Sequence, residues 1–80
     1  MILPTKGLSE ERALIVIGAE VLRILDRPMS VSTAWDKLQR ARTNGYVESI
    51  RYDWFVLALD LLFSIGALTL DRGRLKKAKP

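Results

Sequence analysis

The chain has 80 residues, a formal net charge of +4 and a hydrophobic content of 49%, which together describe one small domain. It contains neither cysteine nor histidine, which excludes a disulfide framework, a thiolate metal site, a cysteine nucleophile and the commonest general base. The basic charge is compatible with nucleic acid or with an acidic partner. The apolar content exceeds what a small two-layer core needs, so it predicts either a dense core or a partner surface.

The N-terminal residues 1–8 are predicted to form an extended apolar arm ahead of the first helix. Pro4 biases Leu3 towards an extended conformation, because its ring crowds the preceding residue. Ile2 and Leu3 then pack on the chain's own domain or bind a neighbouring protein, unless this end is disordered. A signal peptide is not expected, because the segment turns acidic at Glu10 instead of entering a long apolar run.

The first helix is expected over Glu10–Leu25, with Ser9 as its N-cap. Its apolar residues recur at i, i+3, i+4 and i+7, which is typical of a helix with one buried side. This stripe comprises Leu14, Ile17, Gly18, Val21 and Leu25. Pro28 follows, and it stops the helix because proline cannot continue the hydrogen-bond ladder.

The second helix is expected over Val31–Arg42, capped by Ser30. Met29 before the cap and Ala34 one turn inside the helix resemble a hydrophobic staple. One face of this helix comprises Val31, Ala34, Trp35, Leu38 and Arg42. The Asn44-Gly45 pair is typical of a helix end, and residues 46–51 are interpreted as the connection that follows.

The third helix is expected over Asp53–Ile65, with Asp53 as its N-cap and Gly66 at its end. At 100° per residue, the side expected to face the core comprises Phe55, Ala58, Leu59, Leu62 and Ile65. The opposite stripe comprises Asp53, Leu57, Asp60 and Ser64. The two flanks between them are apolar: Trp54 and Leu61 on one, Val56 and Phe63 on the other. Two short helices and a hairpin do not easily cover both flanks.

Two short extended runs, Ala67–Leu70 and Arg74–Lys76, surround a glycine-containing turn and predict a β-hairpin whose apolar set is Leu68, Leu70 and Leu75. Met29 lies where winged-helix folds place a minor strand that pairs with such a hairpin. The fold class is therefore mainly α with a small β-hairpin, a winged helix-turn-helix-like single domain over residues 9–77. Residues 78–80 are expected to form a frayed basic tail, and the alternative fold is a three-helix bundle with a loose C-terminal tail.

The third helix has the position of a DNA-reading helix but lacks the side chains for that task. Such helices use Arg, Lys, Asn or Gln, and residues 53–65 contain none of them. Asp53 and Asp60 would also be repelled by phosphates. We therefore interpret it as a protein-docking helix with Trp54 as the strongest contact, the alternative being an unusually apolar core. The predicted partner-binding residues are Trp54, Val56, Leu61, Phe63, Ile2 and Leu3.

The basic residues cluster in the hairpin and the tail. The predicted phosphate contacts with nucleic acid are Arg72, Arg74, Lys76 and Lys77. Such contacts would not read sequence, and the alternative is a solvated basic tail. Arg40, Arg42 and Arg51 are a candidate second basic group.

No pattern in the sequence predicts catalysis, a metal site or a cofactor. A glycine-rich phosphate loop is absent, and hydroxyl residues such as Ser30 and Ser49 have no histidine to activate them. The longest apolar run of the third helix, Trp54–Leu59, is far shorter than the ~20 residues that span a bilayer. We therefore expect a cytoplasmic protein that is not an enzyme and makes no membrane contact.

Three segments also resemble a known family: ILPTK at the start, LDRPMSVSTAWDKL in the middle, and above all YDWFVLALDLLFSIGAL. They resemble the small middle component of bacterial three-component ABC-ATPase systems, from about Ile2 to Leu75. The resemblance implies a winged-helix-like adaptor that links an SMC- or Rad50-like ABC ATPase to an effector, often a nuclease, in anti-phage or anti-plasmid defence. It implies no catalytic residues in this chain.

Two other functions remain open from the sequence. One is a winged-helix transcriptional regulator that binds DNA as a homodimer through its basic hairpin. The other is a self-associating helical protein whose excess apolar surface closes a dimer.

Overall fold

The structure is a computed structural model that describes residues 10–45 and 47–78. Its elements are α1 (Glu10–Ile24), α2 (Val31–Asn44), α3 (Tyr52–Ser64), β1 (Leu68–Asp71) and β2 (Arg74–Lys77). The order confirms the mainly α fold with a small hairpin, and it is compatible with a winged-helix-like domain. The predicted arm over residues 1–8, and with it Ile2 and Leu3, lies outside the described residues, as do the last two residues of the predicted tail.

The start of α2 follows the predicted capping chemistry. The Ser30 hydroxyl oxygen accepts a hydrogen bond from the Thr33 backbone N–H at 3.2 Å, which satisfies one of the free donors of the first turn. Met29 before this cap and Ala34 after it are both buried, as expected for a hydrophobic staple. The helix ends at Asn44, two residues beyond the expected end, and the Gly45 N–H donates to the Ala41 carbonyl.

Both ends of α3 differ from the prediction. The helix begins one residue earlier than expected, so Arg51 is the N-cap residue, and Asp53 instead accepts the Trp54 N–H at 3.0 Å from within the first turn. The expected cap at Asp53 is therefore wrong. Ile65 is also wrong as a core residue, because the helix ends at Ser64 and the side chain is 65% exposed. Phe55, Ala58, Leu59 and Leu62 are buried as predicted.

The core lies where α1 crosses α3 and where the hairpin meets α2. Gly18 allows α1 to pack closely against α3, because a Cβ atom at this position would lie 3.2 Å from Leu62 Cδ2 of α3. The largest fully buried side chains are Phe55, Ile17, Leu38, Leu75 and Val21. Each of the three helices and β2 contributes to this set, so the helices and the hairpin share one core.

The hairpin is fixed to the helical part by a third extended segment. β1 and β2 are antiparallel, with Leu70 opposite Leu75 and Asp71 opposite Arg74. Met29 pairs with Leu75 on the other side of β2, through backbone hydrogen bonds of 3.1 and 2.7 Å. This confirms the predicted minor strand. The bundle with a loose tail is wrong, because both Leu68 and Leu75 are in the core, although Leu70 of the expected apolar set is exposed.

The hairpin turn places a non-glycine residue in an unfavourable backbone conformation. Its two central residues, Arg72 and Gly73, have φ values of 54° and 78°. Positive values at both positions are those of a type I′ turn, which matches the twist of the strands and favours Asn-Gly or Gly-Gly. Gly73 adopts this conformation without cost, whereas a side chain with a Cβ atom at Arg72 is strained.

Replacing Arg72 by asparagine should raise the free energy of unfolding by about 0.5–1 kcal/mol, because asparagine tolerates the left-handed region better than arginine. Urea denaturation at equilibrium measures this change. Arg74→Asn is the matched control, because Arg74 lies in β2 and does not have a positive φ. That control should lower stability, since asparagine is a poor strand former. Equal effects of the two variants would contradict the assignment of strain to Arg72.

Candidate partner-binding surface

The side of α3 that faces away from the core is partly apolar and carries no cation. The exposed residues of this helix that follow Tyr52 are Asp53, Val56, Leu57, Asp60 and Ser64, and we call this set the outer face of α3. They lie together because residues three and four apart on a helix share a side. Leu57 at its centre is 47% exposed.

The structure distributes the predicted partner-binding residues of α3 between the core and the surface. Trp54 is 9% exposed and belongs to the core, so its side chain is largely inaccessible to a partner in the isolated domain. Val56 is exposed, and Leu61 and Phe63 are half-buried, with Phe63 packed against the core. Of these four side chains, only Val56 contributes an exposed apolar surface.

An aromatic cluster that the sequence analysis did not identify lies beside the outer face of α3. Trp35 of α2 meets Tyr52 edge-to-face with ring centroids 5.1 Å apart, and both rings pack against the buried Phe55 at 5.1 and 5.7 Å. Trp35 is half-buried and Tyr52 is 51% exposed. Tyr52 is one helical turn before Val56, so the aromatic surface continues into the outer face of α3. The sequence signal was the i, i+3 spacing of Tyr52 and Phe55.

Two carboxylates give the outer face of α3 an acidic character. Asp53 lies 3.5 Å from the Arg51 guanidinium in an exposed ion pair, which is weak in water. Asp60 forms no side-chain hydrogen bond or ion pair with any of the residues that the structure describes. A partner that brings apolar side chains and a lysine or arginine fits this surface better than a phosphate backbone does.

The predicted phosphate-contact residues lie together on the hairpin. We call Arg72, Arg74, Lys76 and Lys77 the basic hairpin. Lys76 is half-buried and the other three are exposed. Within the described part of the chain, none of these four side chains forms an ion pair with a carboxylate. Asp71 is the only acidic residue of the two strands and their turn.

The candidate second basic group does not form a cationic surface. Arg40 pairs with Asp36 at 2.9 Å, Arg51 pairs with Asp53, and Arg42 pairs with Glu20 at 2.6 Å. Each of these arginines therefore has a carboxylate partner that offsets its charge. The free cations of the hairpin differ from them in this respect.

Arg42 has a structural role at the edge of a cleft between α1 and α2. Its Nη1 donates to both carboxylate oxygens of Glu20, at 2.7 and 2.6 Å, and its Nε donates to the Glu48 carbonyl at 2.6 Å. The cleft has a volume of about 510 Å³ and is lined by Glu20, Arg23 and Arg42 and by apolar side chains such as Val16 and Val47. Because Arg42 is bonded to both Glu20 and the Glu48 carbonyl, the arrangement favours a structural tie over acid–base chemistry.

The family of this chain follows from its match to a known protein family. The model of the family described as ABC-three component (ABC-3C) system Middle Component 6 matches residues 3–78. The chain belongs to this family. Searches of curated proteins and of solved structures give no significant match.

The predicted resemblance to a middle component is thereby confirmed. Within residues 10–45 and 47–78 of this Middle Component 6 chain, no group of three or more His, Cys, Asp or Glu residues is placed to hold a metal ion. In the same part of the chain, none of the helices has the length and apolar character needed to cross a membrane. Membership in a multi-component ABC system is consistent with an adaptor role and with protein partners.

Proposed function

We propose that this Middle Component 6 chain is a non-catalytic adaptor that joins the SMC- or Rad50-like ABC ATPase of its system to an effector, often a nuclease. The complex would act in defence against phages or plasmids. The observation that carries the proposal is the outer face of α3. It occupies the position of a DNA-reading helix in a winged-helix-like fold, yet it bears Val56, Leu57 and two carboxylates and no cation.

The chemistry of this face supports a protein partner. Leu57 and Val56 gain by leaving water, at roughly 25 cal/mol for each Å² of apolar surface that is buried. Tyr52 and the half-buried Trp35 add aromatic surface of the kind that dominates binding energy at protein interfaces. Asp60, which has no partner in the described part of the chain, is available for a lysine or arginine of the ATPase or the effector.

The role of the predicted contacts follows their positions. Val56 and the half-buried Leu61 and Phe63 remain candidates for direct contact, at the edges of this face. Trp54 contributes indirectly in this proposal, because its side chain fills the core under α3 and thereby supports the outer face. Ile2 and Leu3 remain proposed contacts on sequence grounds alone.

The proposal is tested by co-expressing the tagged chain with the genes that flank its own, followed by affinity purification and size-exclusion chromatography. We expect the chain to elute with an ABC ATPase subunit in one complex of constant stoichiometry. Elution of the chain alone, or only as a homodimer, when the ATPase is present and folded would overturn the adaptor role.

One observation favours a second function, that of a DNA-binding winged-helix regulator. Within the described residues the cations of the basic hairpin have no carboxylate partner, and such a regulator would use them as a wing. A regulator of this type would protect a defined sequence in its own promoter from nuclease digestion as a homodimer. Specific protection by the lone chain would favour it over the adaptor, whereas sequence-independent binding would not.

A further inference from the structure

Most cations of the helices and their connections have a partner, Arg23 of α1 being an exception within the described residues, whereas the cations of the basic hairpin have none there. On the helices and their connections, Arg27, Lys37, Arg40, Arg42 and Arg51 each form an ion pair with a carboxylate. The four cations of the basic hairpin form none within the described part of the chain. Because a cation beside a carboxylate attracts a polyanion less than an unpaired cation does, the four neighbouring cations of the basic hairpin form an anion-attracting part of the described surface.

The hairpin holds these charges on a fixed support. Leu75 of β2 is fully buried, and its backbone N–H and C=O both bond to Met29, while β2 pairs with β1 along its other edge. Because side chains alternate along a strand, Arg74 and Lys76 project from the face opposite Leu75. The two cations therefore lie on one side of an anchored strand. Binding costs them less conformational entropy than it would cost cations in a free tail.

The charged surface extends from β2 to the connection between α1 and α2. Lys76 and Lys77 line a shallow depression of about 200 Å³ together with Asp26 and Arg27. Asp26 is engaged by Lys37 at 3.0 Å and by Arg27 at 3.4 Å. A hydrogen bond from Lys37 lowers the pKa of this carboxyl, which therefore stays ionised but is already paired. The depression keeps a net positive charge.

The backbone conformation of the turn is an independent reason to assign a function to the cation at the hairpin tip. Arg72 has a φ of 54°, where asparagine or glycine is favoured. A strained non-glycine residue kept at an exposed tip is a reason to look for a function of its side chain.

We propose that the basic hairpin binds the phosphate backbone of duplex DNA without reading its sequence. Four cations within six residues suit a polyanion better than a single phosphate ion. Residues 68–77 contain no aromatic side chain on which single-stranded bases would stack. This binding goes beyond the proposed adaptor function and does not depend on it.

The test measures fluorescence anisotropy of a labelled duplex of arbitrary sequence with the purified full chain. About four phosphate contacts predict an affinity loss of about a hundredfold between about 50 and about 200 mM salt. Arg72→Ala combined with Arg74→Ala should weaken binding at least tenfold at low salt and reduce the salt slope by about 2. A second duplex of unrelated sequence should bind with the same affinity.

Two controls separate the proposal from loss of folding and from net charge. Arg72→Asn favours the turn, so weaker binding by this variant cannot arise from unfolding. Arg40→Ala removes one exposed cation from α2 and should leave the affinity nearly unchanged. The proposal is overturned by absent binding at low salt, by equal losses for Arg40→Ala and Arg72→Asn, or by tighter binding of an acidic peptide or of single-stranded DNA than of the duplex.

Discussion

Replacing Arg42 by alanine should lower the free energy of unfolding by about 3 kcal/mol, a large part of the roughly 4–12 kcal/mol expected for a domain of this size. The side chains of Arg42 and Glu20 are only 11% and 21% exposed. Truncation leaves the Glu20 carboxylate without its donor and the Glu48 carbonyl without its hydrogen bond. It also releases the tie between α1, α2 and the connection that precedes α3. Equilibrium urea denaturation with an unchanged m-value measures this loss.

Arg40→Ala is the matched control for this prediction. It removes the same side chain from the same helix, but the Arg40–Asp36 pair is 76% and 60% exposed. Such a pair contributes no more than about 0.5 kcal/mol. A double-mutant cycle between Arg42→Ala and Glu20→Ala should give a coupling energy above about 1 kcal/mol. A loss no larger for Arg42→Ala than for Arg40→Ala would show that the half-buried Glu20–Arg42 pair does not hold the helices together.

Replacing Leu57 by lysine should weaken binding to the ABC ATPase of the system by more than about a hundredfold, which is about 2.8 kcal/mol. At the proposed interface the new ammonium group would replace an apolar contact with a charge, and it would compete with the lysine or arginine that Asp60 is proposed to bind. In the isolated domain the change should alter stability by less than about 0.5 kcal/mol, because Leu57 is exposed and lysine is a good helix former. Calorimetry or surface plasmon resonance with the purified ATPase measures the affinity.

Ile15→Lys provides the control for Leu57→Lys. Ile15 is 60% exposed on α1, so the two substitutions add the same charge to similarly exposed apolar positions. Only the variant on the outer face of α3 should lose the partner. If Ile15→Lys abolishes binding and Leu57→Lys does not, the interface lies on α1 and the proposed surface is wrong.

The hairpin and the helical order were predictable because local signals agree on them. Alternating apolar residues, a glycine turn and Met29 placed before α2 all indicated the hairpin and its third extended segment, and the Met29–Leu75 pairing confirms it. Ser30 was recognisable as a cap because hydroxyl side chains accept hydrogen bonds from the first turn of a helix. These features depend on residues close together in the chain, where sequence patterns are informative.

The details of the candidate surface depend on contacts between distant residues, and sequence periodicity does not supply them. Helical angles placed Trp54 on a flank, but they do not tell how wide the buried side is, and the packed core extends to cover it. Ile65 was assigned by extending the helical angle one residue past the end of α3. The Glu20–Arg42 pair joins residues on two different helices, and the Trp35–Tyr52 contact joins α2 to α3. Only the folded arrangement reveals such pairs.

The central claim is that the outer face of α3 binds a protein. Site-specific photo-crosslinking in the assembled complex is its most direct test. A photoreactive phenylalanine analogue replaces Leu57 in one sample and Ile15 in another, and each chain is co-expressed with the flanking genes and irradiated. We predict that position 57 crosslinks to the ABC ATPase or to the effector and that position 15 does not. Crosslinks from position 15 alone, or none to another subunit from position 57 in an intact complex, would contradict the claim.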